Sequence, residues 1–435
     1  MANRKASLSL RTENLHLPPL PPVALSLRTF PRPSHHLIMD TCLLSAEEEL
    51  YWLALRMVPG LGTRKAGLLI DRFRSPQAIF RASPSELEGA GLLGGVARSI
   101  ASGCSFEDAA IQQEKLRLTG TTLVSIGDPN YPRPLRDIFD PPVVLFARGN
   151  IELLQDLSIG IVGTRRPTPY GIAAAERLSA DLAQAGLTIV SGMARGIDTA
   201  AHRAALSVGG RTIAVLGCGA DVVYPSENRR LAAEIVAKGL IVSEFPLGAV
   251  AFPQNFPIRN RIISGMSSGL LVVEGAQYSG SAITAKLALD QGREVFAVPG
   301  NITSKMSWGP NLLIKQGAKL IQDWNDVVVD LPPDARRRLI DAGRNRLLNQ
   351  GLTAHDETSG ASGASIPAAG QNQDPGPRLA RRIMEKLKVD APTHLDALVE
   401  SLEDCSPSEL IAALFELEIS GLAKQLPGKN FVKVW

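Results

Sequence analysis

Residues 158–171 have the sequence SIGIVGTRRPTPYG, a short apolar run that ends in a glycine turn and leads into a helix. Similar runs recur along the chain at helix-length intervals, and nearly every one ends in glycine or a polar residue. The seven runs are Ser158–Gly163, Leu187–Gly192, Thr212–Gly217, Leu240–Phe245, Gly269–Gly275, Glu294–Gly300 and Lys319–Asp323. Near-continuous apolar runs of this length are typical of parallel strands that are buried on both faces. The pattern therefore predicts an α/β fold with a doubly wound parallel sheet, whose ligand sites lie outside the carboxyl ends of the strands.

The rest of the chain divides around this sheet. The predicted order is a leader (1–38), a helical domain (39–125), the sheet core (126–332), a flexible linker (333–378) and a C-terminal domain (379–435). The leader has many prolines, serines and basic residues but one acidic residue, Glu13, and is predicted to be disordered. Its composition is similar to that of an organellar transit peptide, but we favour an over-long start, with Met39 opening the real protein. From about His355 to Gly376 the linker is rich in Gly, Ser, Ala, Gln and Pro, without periodic apolar residues.

The helical domain carries a turn that is typical of DNA-binding hairpins. Ser45 and Glu48 predict a capping box at the start of its first helix. The sequence VPGLG at 58–62 then predicts the hairpin of a helix-hairpin-helix element, and GLLGG at 91–95 is similar to a degenerate partner. Backbone amides at the start of the second helix of such an element can hold a DNA phosphate. A tight turn between packed helices explains the same residues equally well.

The C-terminal domain has the element order of a winged helix. The predicted elements are three helices at Leu379–Leu387, Thr393–Leu402 and Ser406–Ser420, and two wing strands at Leu422–Gln425 and Phe431–Val434. A winged-helix regulator that reads DNA was considered as a function. It is disfavoured because the candidate recognition helix contains acidic residues but no arginine or lysine between Pro407 and Glu418. We expect that helix to pack on protein.

The composition describes a globular protein without a membrane span. Of its 435 residues 45% are hydrophobic and 20% are charged, and no run of about eighteen apolar residues occurs. The formal charge of +3 is too small to indicate a polyanion partner, so a nucleic-acid surface must be a local patch. Four widely spaced cysteines and the absence of a stable histidine cluster predict no disulfide framework, no metal and no cofactor. A cytoplasmic location fits.

The stretch FPIRNRII at 256–263 places two arginines and an amide at the edge where ligands are expected. A guanidinium donates two parallel hydrogen bonds to phosphate oxygens, so Arg259, Asn260 and Arg261 are candidates for phosphate binding. The alternative is that the arginines cap a helix or pair with local carboxylates such as Glu244 or Glu274. Residues two apart share a face only in an extended segment, because on a helix they diverge by about 200°. If a helix already begins here, one arginine faces the strand and the other holds the loop in place.

Other strand ends add glycine, hydroxyl and arginine residues to the same edge. The candidates are Gly163, Thr164 and Arg165 after the first strand, Ser191 and Gly192 at the end of the second, Arg229 and Arg230 after the third, and Ser279, Gly280 and Ser281 after the fifth. Glycine lets a phosphate approach backbone amides, and hydroxyl residues at a helix amino terminus suit an anion. Solvent-exposed charge on an amphipathic helix explains the arginines after the third strand equally well. The face is predicted to bind phosphates repeatedly.

Signatures of catalysis or of nucleotide binding are incomplete. The first strand turn lacks the spacing of the dinucleotide fingerprint, and no Gly-x-x-x-x-Gly-Lys-Ser/Thr loop occurs. Ser191, Asp198 and His202 hint at a triad, but no nucleophile elbow surrounds the serine. We expect Gly192 and Gly196 to form a loop of amide donors instead. Asp198 is then expected to cap a helix, and His202 to be satisfied within the fold.

These motifs resemble the DprA/Smf family of DNA-processing proteins. The matching stretches are Asp128, Tyr131-Pro132, Leu135, Asp140-Pro141-Pro142, VGTR at 162–165, SGMARGID at 191–198, FPIRNR at 256–261, YSGSAITA at 278–285 and AVPG at 297–300. The resemblance implies an extended Rossmann-like core, an N-terminal helical domain of helix-hairpin-helix or SAM-like character, and a C-terminal winged helix. It also implies a homodimeric, non-enzymatic protein that binds single-stranded DNA in natural transformation, protects it and loads the RecA recombinase onto it.

The resemblance also assigns roles to residues. It implies that Arg165, Arg259 and Arg261 hold backbone phosphates, and that Arg229 or Arg230 assists. It further implies that the loop 279–281 lines the same pocket. Little base readout is expected, because aromatic residues are 5% of the chain and few lie near the motifs.

A nucleotide-processing hydrolase is the alternative function. The same broad fold, with glycine and hydroxyl loops at strand ends, is similar to that of the cytokinin-activating phosphoribohydrolases. Those enzymes have a Pro-Gly-Gly-x-Gly-Thr loop with a following glutamate. The corresponding region here, Glu274–Thr284, is not followed by a glutamate at that spacing. Hydrolysis of a nucleotide bond is therefore disfavoured.

Overall fold

The computed structural model describes residues 44–277, 279–339, 376–388, 393–402, 422–426 and 430–433, together with positions 410, 413, 414 and 417. The predicted leader, most of the linker, most of the third helix of the C-terminal domain and the turn between its wing strands lie outside the described residues.

Six helices precede the sheet. They are α1 (Ala46–Met57), α2 (Thr63–Phe73), α3 (Pro76–Arg81), α4 (Pro84–Glu88), α5 (Gly94–Ala101) and α6 (Phe106–Thr119). The Ser45 hydroxyl accepts from the Glu48 amide and the Glu48 carboxylate accepts from the Ser45 amide, so the predicted capping box is present. The chain then leaves α1 at Val58 and enters α2 after Gly62, with a hydrogen bond from the Leu61 amide to the Val58 carbonyl. The predicted turn is thus formed, while its contact with DNA stays a prediction.

A nine-stranded sheet follows. Its strands are β1 (Thr122–Ser125), β2 (Val144–Gly149), β3 (Ser158–Val162), β4 (Thr188–Ser191), β5 (Thr212–Leu216), β6 (Leu240–Ser243), β7 (Gly269–Val272), β8 (Glu294–Ala297) and β9 (Lys319–Leu320). Their order is β1-β2-β6-β5-β4-β3-β7-β8-β9. The seven strands from β3 to β9 are parallel, and the predicted doubly wound α/β sheet is confirmed. Strands β1 and β2 were not expected from the sequence. They extend the sheet, β2 as an antiparallel partner of β6 and β1 as an antiparallel partner of β2.

Helices cover both faces of this sheet. They are α7 (Arg133–Arg136), α8 (Pro169–Gln184), α9 (Ile197–Ser207), α10 (Arg229–Lys238), α11 (Asn255–Met266), α12 (Gly280–Asp290), α13 (Trp308–Lys315) and α14 (Trp324–Val329), with a further helical segment at 333–339. Apolar residues of α8 and α9 pack with one face of β3 and β4, and those of α11 and α12 pack with the other. Because strand order reverses between β3 and β7, the carboxyl ends of neighbouring strands open a crevice. Among the described helices, none is long and apolar enough to cross a membrane.

The helical domain and the sheet share one hydrophobic core. This core joins Trp52 and Leu55 of α1 to Phe146 of β2, Leu231 of α10 and Ile241 of β6. The two parts therefore bury apolar surface against each other, and each part needs the other to do so.

The C-terminal domain has its own core. Its described elements are helices at Gly376–Lys386 and Leu395–Ser401 and strands at Thr393–His394, Ala423–Leu426 and Asn430–Lys433, which form an antiparallel three-stranded sheet. Ile383, Leu398 and Phe431 are among the buried residues at its centre. The arrangement is that of the predicted winged helix.

Candidate nucleic-acid interface

Arg259 lies at the centre of the carboxyl edge of the sheet. It is on the second turn of α11, is 4% exposed, and donates from Nη1 to the Val215 carbonyl at the end of β5, at 2.7 Å. Burial lowers the pKa of Arg259 to about 10, although the nearby Asp198 carboxylate opposes the shift. The guanidinium is therefore charged at neutral pH and fixed in position by the backbone.

Gly192 makes room for this guanidinium. A Cβ at position 192 would overlap the Arg259 side chain. The amides of Gly192 and Ala194 donate to the Asp198 carboxylate at 3.1 and 3.3 Å, so they are not free donors for a phosphate. This corrects two expectations. The Gly192 amide is bound to Asp198 and is not a free donor, and Asp198 closes the loop 192–196 from within α9 and does not cap the helix.

A small cleft opens beside Arg259. We define the arginine cleft by its lining residues, Arg165, Gly192, Ala194, Arg195, Tyr224, Pro225, Phe256 and Arg259. The Arg165 guanidinium carbon is 5.1 Å from the centre of the Phe256 ring, and that of Arg259 is 6.0 Å from it. Arg165 is exposed and forms no ion pair with the other described residues. Two guanidinium groups, those of Arg165 and Arg259, thus lie near one aromatic ring, and that of Arg195 lines the same cleft.

Arg195 is held at the rim by a carboxylate. Its Nη2 donates to Glu227 Oε1 at 2.5 Å, and both side chains are exposed. The pKa of Glu227 lies below its usual value. The larger cause is a hydrogen bond from its own backbone, and the second is the hydrogen bond from Arg195. A phosphate at this rim would compete with Glu227 for Arg195.

Arg261 is not in the arginine cleft. Helix α11 begins at Asn255, so the two arginines of FPIRNR point in different directions. Arg261 is 5% exposed and pairs with Glu244 at 2.6 Å and Asp140 at 2.9 Å. The sequence alternative of pairing with a local carboxylate is the one the structure shows, and the placement of Arg261 at a phosphate site is corrected. Arg56 of α1 donates to the Glu244 carbonyl, so this cluster also ties α1 to the sheet.

The turn after β3 and the end of β4 are closed by internal hydrogen bonds. A Cβ at Gly163 would overlap Ile197, and the Thr164 amide donates to the Glu274 carbonyl at 2.7 Å. Ser191 is buried and its hydroxyl donates to the Ile161 carbonyl at 2.6 Å. These residues position Arg165 and Arg259, and the hydroxyl of Ser191 is not available to a ligand.

Other predicted residues lie outside the arginine cleft. Arg229 and Arg230 are exposed at the start of α10, and Asn260 is half-buried on α11. Ser279 caps α12, and its hydroxyl lies 2.7 Å from that of Ser281, which is buried; Gly280 between them is exposed. The loop 279–281 follows β7, on the other side of β3 from Gly192, so it does not line the same pocket as implied. Contacts of these residues with DNA stay predictions.

Ser191, Asp198 and His202 do not form a hydrogen-bonded triad. Each has another partner: the Ile161 carbonyl for Ser191, the loop amides for Asp198, and the Thr212 hydroxyl, at 2.6 Å, for His202 Nδ1. His202 is fully buried, and burial lowers its pKa to about 3. The expectation that His202 is satisfied within the fold holds for Nδ1, while Nε2 has no partner among the described residues.

Sequence reasoning missed five lining residues, which are Ala194, Arg195, Tyr224, Pro225 and Phe256. Arg195 and Phe256 lie within the quoted motifs SGMARGID and FPIRNR, but they were not selected as site residues. For Arg195 the available signal was position, because it closely follows the predicted strand Leu187–Gly192, as Arg165 follows Ser158–Gly163. The convergence of the lining residues depends on the order of β3, β4, β5 and β6, which the sequence does not state.

The fold and the cleft define a class of protein. A doubly wound sheet with arginines at its carboxyl edge, preceded by helices and followed by a winged helix, is the architecture of a Rossmann-type DNA-processing protein. Residues 122–332 match the family model of DNA recombination-mediator protein A, and residues 367–429 match that of the DprA winged helix domain.

Relatives agree over most of the chain. Protein Smf of Synechocystis sp. is 34% identical over 406 residues, which span 89% of this chain and 99% of that protein. DNA processing protein DprA of Bacillus subtilis is 46% identical over 217 residues, 50% of this chain and 73% of that protein. The X-ray structure of DprA from Streptococcus pneumoniae superposes with a TM-score of 0.55 at 36% identity, covering 67% of this chain and 99% of that one. The chain belongs to the DprA/Smf family of DNA-processing proteins, as its motifs predicted.

Proposed function

We propose that this protein binds single-stranded DNA through phosphate contacts in the arginine cleft. In this proposal it protects the strand and helps to load RecA during natural transformation and recombination. It acts as a homodimer in the cytoplasm, and it performs no catalysis.

The observation that carries the proposal is the convergence of Arg165, Arg195 and Arg259. Guanidinium groups form short, charge-assisted hydrogen bonds with phosphate and cannot be deprotonated at neutral pH. Arg259 is fixed by the Val215 carbonyl, whereas Arg165 is exposed and able to follow a strand. The fixed guanidinium of Arg259 and the exposed one of Arg165 can together bind the phosphates of a flexible strand.

The comparisons support the wider context. The family model is described as a recombination mediator, and the relatives are named DNA processing proteins. RecA loading and the homodimer come from the family resemblance. The proposal that the protein performs no catalysis is supported by the hydrogen bonds of Ser191 and His202. The Ser191 hydroxyl binds the Ile161 carbonyl and His202 binds Thr212, so His202 does not act as a base for Ser191.

The decisive experiment is fluorescence anisotropy with a labelled single strand at low salt, repeated as salt is raised. Wild-type affinity should fall steeply with salt, because each phosphate contact releases counterions. Arg165→Ala should weaken binding by roughly 10-fold, as expected for one charge-assisted contact of about 1.5 kcal/mol. Arg203→Ala removes an exposed arginine on α9 that does not line the cleft, and it should bind like wild type. Equal affinities for Arg165→Ala and wild type would remove the cleft from the proposal.

The alternative hydrolase has its own test. Nucleoside monophosphates are incubated with the protein, and released base is measured by chromatography. No base should appear above the protein-free control. Base release by wild type would overturn the non-catalytic part of the proposal.

A further inference from the structure

A second crevice opens at the point where the order of the strands reverses between β3 and β7. We define the switch crevice by residues that follow three neighbouring strands, which are Thr168 and Tyr170 after β3, Glu274 after β7, and Pro299, Asn301 and Ser304 after β8. It shares no lining residue with the arginine cleft. Its volume of about 540 Å³ lies within the range of roughly 300 to 1,000 Å³ that is usual for small-molecule sites. Open α/β sheets bind their ligands at such a point.

Glu274 places a buried carboxylate in the wall of the switch crevice. The side chain is 1% exposed and forms no ion pair with the other described residues. Its Oε2 accepts from the Thr168 amide at 2.9 Å, and its Oε1 accepts from the Thr168 hydroxyl at 2.6 Å. An ionised carboxylate has about four acceptor positions, so about two are still open, one on each oxygen. A ligand that donates two hydrogen bonds therefore fits this group.

The lining of the switch crevice disfavours charged ligands. None of the described residues that line it is lysine or arginine, and the Glu274 carboxylate repels phosphate. Burial first, and then this carboxylate, raise the pKa of Tyr170, so the negative charge acts inside the crevice. An organic cation would lose its water against a single carboxylate that already accepts two hydrogen bonds, which costs more than the pairing returns. A neutral ligand with several hydroxyl groups remains.

The ribose ring carries the hydroxyl groups that this carboxylate can hold. Its 2′ and 3′ hydroxyls lie on neighbouring carbons and can donate one hydrogen bond to each oxygen of Glu274. Acidic residues bind ribose hydroxyls in this way in Rossmann folds. Tyr170 is 51% exposed, and its hydroxyl donates to the Pro299 carbonyl at 2.6 Å, so its ring is fixed at the crevice. That ring offers a flat apolar surface to a base.

We propose that the switch crevice binds a ribonucleoside, with the 2′ and 3′ hydroxyls on Glu274 and the base beside Tyr170. This site goes beyond the proposed function, because it lies outside the arginine cleft and needs no phosphate. DNA is not its ligand, since deoxyribose lacks the 2′ hydroxyl. The site selects ribose over deoxyribose through the carboxylate.

The test is isothermal titration calorimetry of the full-length protein. Adenosine, guanosine, cytidine and uridine are titrated separately, each beside its 2′-deoxy counterpart. At least one ribonucleoside should bind, and it should bind about 10-fold or more tightly than its deoxy counterpart, which lacks one hydrogen bond to a charged group. Binding of none of the four, or equal binding of the ribo and deoxy forms, overturns the inference. Spermidine is titrated as well, and its binding in place of the ribonucleosides would assign the crevice to a cation.

Variants at two adjacent residues locate the site. Asn301→Trp fills the switch crevice from an exposed loop and should abolish ribonucleoside binding. Ile302→Trp places the same ring on the neighbouring residue, which is 93% exposed and does not line the crevice, and it should bind like wild type. Equal binding by the two variants overturns the assignment.

Two further measurements keep this inference separate from the proposed function. Glu274→Gln should weaken ribonucleoside binding by about 10-fold or more. Where Glu274→Gln does not fold, because Glu274 also holds Thr168 at the start of α8, Asn301→Trp decides. Single-strand affinity of Asn301→Trp should equal that of wild type, since the two crevices share no lining residue. A wild type that binds a ribonucleoside but no DNA would end the proposed function and leave this inference standing.

Discussion

At the scale of single residues, Glu227 is the natural competitor of DNA at the rim of the arginine cleft. It holds Arg195 through an exposed ion pair, and its charge repels phosphate. Glu227→Gln should therefore tighten binding of a single strand by about 2- to 5-fold, the range of an exposed ion pair. The salt dependence should steepen by about one phosphate contact. Anisotropy measures both.

Glu234→Gln provides the matched control, because Glu234 is exposed on α10, just after Glu227 in the chain, but is not paired with Arg195. It changes the net charge by the same amount. Equal tightening by the two variants would show a general charge effect and no release of Arg195.

His202 predicts a pH dependence of stability. The Thr212 hydroxyl donates to the Ile189 carbonyl, so it accepts from His202 Nδ1–H and leaves Nε2 unprotonated. Burial first, and then Arg259, depress the pKa of His202 from 6.5 to about 3. The unfolded chain therefore binds this proton first as pH falls. Stability from the neutral ring is complete above about pH 6.5 and is lost towards pH 3, by up to about 1.4 kcal/mol per pH unit.

Urea denaturation between pH 4 and pH 7 tests this dependence against His202→Asn, whose amide can replace Nδ1–H but does not titrate. The variant should show a flatter fall in the free energy of unfolding. Burial raises the pKa of Asp198, which stabilises the fold as pH falls, but this contribution is common to both proteins. Parallel curves would contradict the assignment to His202.

At the scale of elements, α11 separates two arginines that are adjacent in motif but different in role. Arg259 faces the arginine cleft, whereas Arg261 neutralises Glu244, which is 3% exposed. Removing one partner of a buried pair leaves the other charge unpaired, which costs about 3–5 kcal/mol. Arg261→Met should lose about that much stability in urea denaturation, and folded protein should bind DNA nearly as wild type does.

Glu244→Gln combined with Arg261→Met should recover part of the stability, because the carboxylate that is left without Arg261 is then the exposed one of Asp140 and not the buried one of Glu244. In contrast to Arg261→Met, Arg259→Met should lose much of its affinity for DNA. A loss of affinity in folded Arg261→Met as large as in Arg259→Met would return Arg261 to the phosphate site.

Elements differ in how far the sequence predicts them. Strands β3 to β8 were predictable because burial on both faces makes each an apolar run with a glycine or polar end. Strands β1 and β2 were not predicted, although residues 144–147 form a buried apolar run, because they precede the strand-and-helix alternation that identified the others. Arg259 could be predicted as a site residue. That Arg261 points elsewhere could not be predicted without knowing that α11 already begins at Asn255. Tyr224 and Arg195 needed the strand order, which brings three strand ends together.

At the scale of the whole molecule, the C-terminal domain is separable from the DNA site. All lining residues of the arginine cleft fall between positions 165 and 259, and the winged helix buries its own core around Ile383, Leu398 and Phe431. A protein that ends before Leu379 should therefore keep its single-strand affinity within about 3-fold. The truncation removes none of the guanidinium contacts of the cleft, each of which contributes about 1 kcal/mol. Anisotropy of the shortened protein measures it. A loss as large as that of Arg165→Ala would give this domain a direct part in binding.

The hydrophobic core shared by α1, α10, β2 and β6 has an evolutionary consequence. Recombination can add, remove or exchange the C-terminal domain by a break between Leu339 and Gly376. Such a break divides neither hydrophobic core, so it exposes no buried apolar surface on either part. A break between α6 and β1 would be harmful, because it would expose Trp52 and Leu55 on one fragment and their apolar partners on the other. The helical domain and the sheet should consequently be inherited as one indivisible module, and the winged helix as an accessory that recombination can reshuffle.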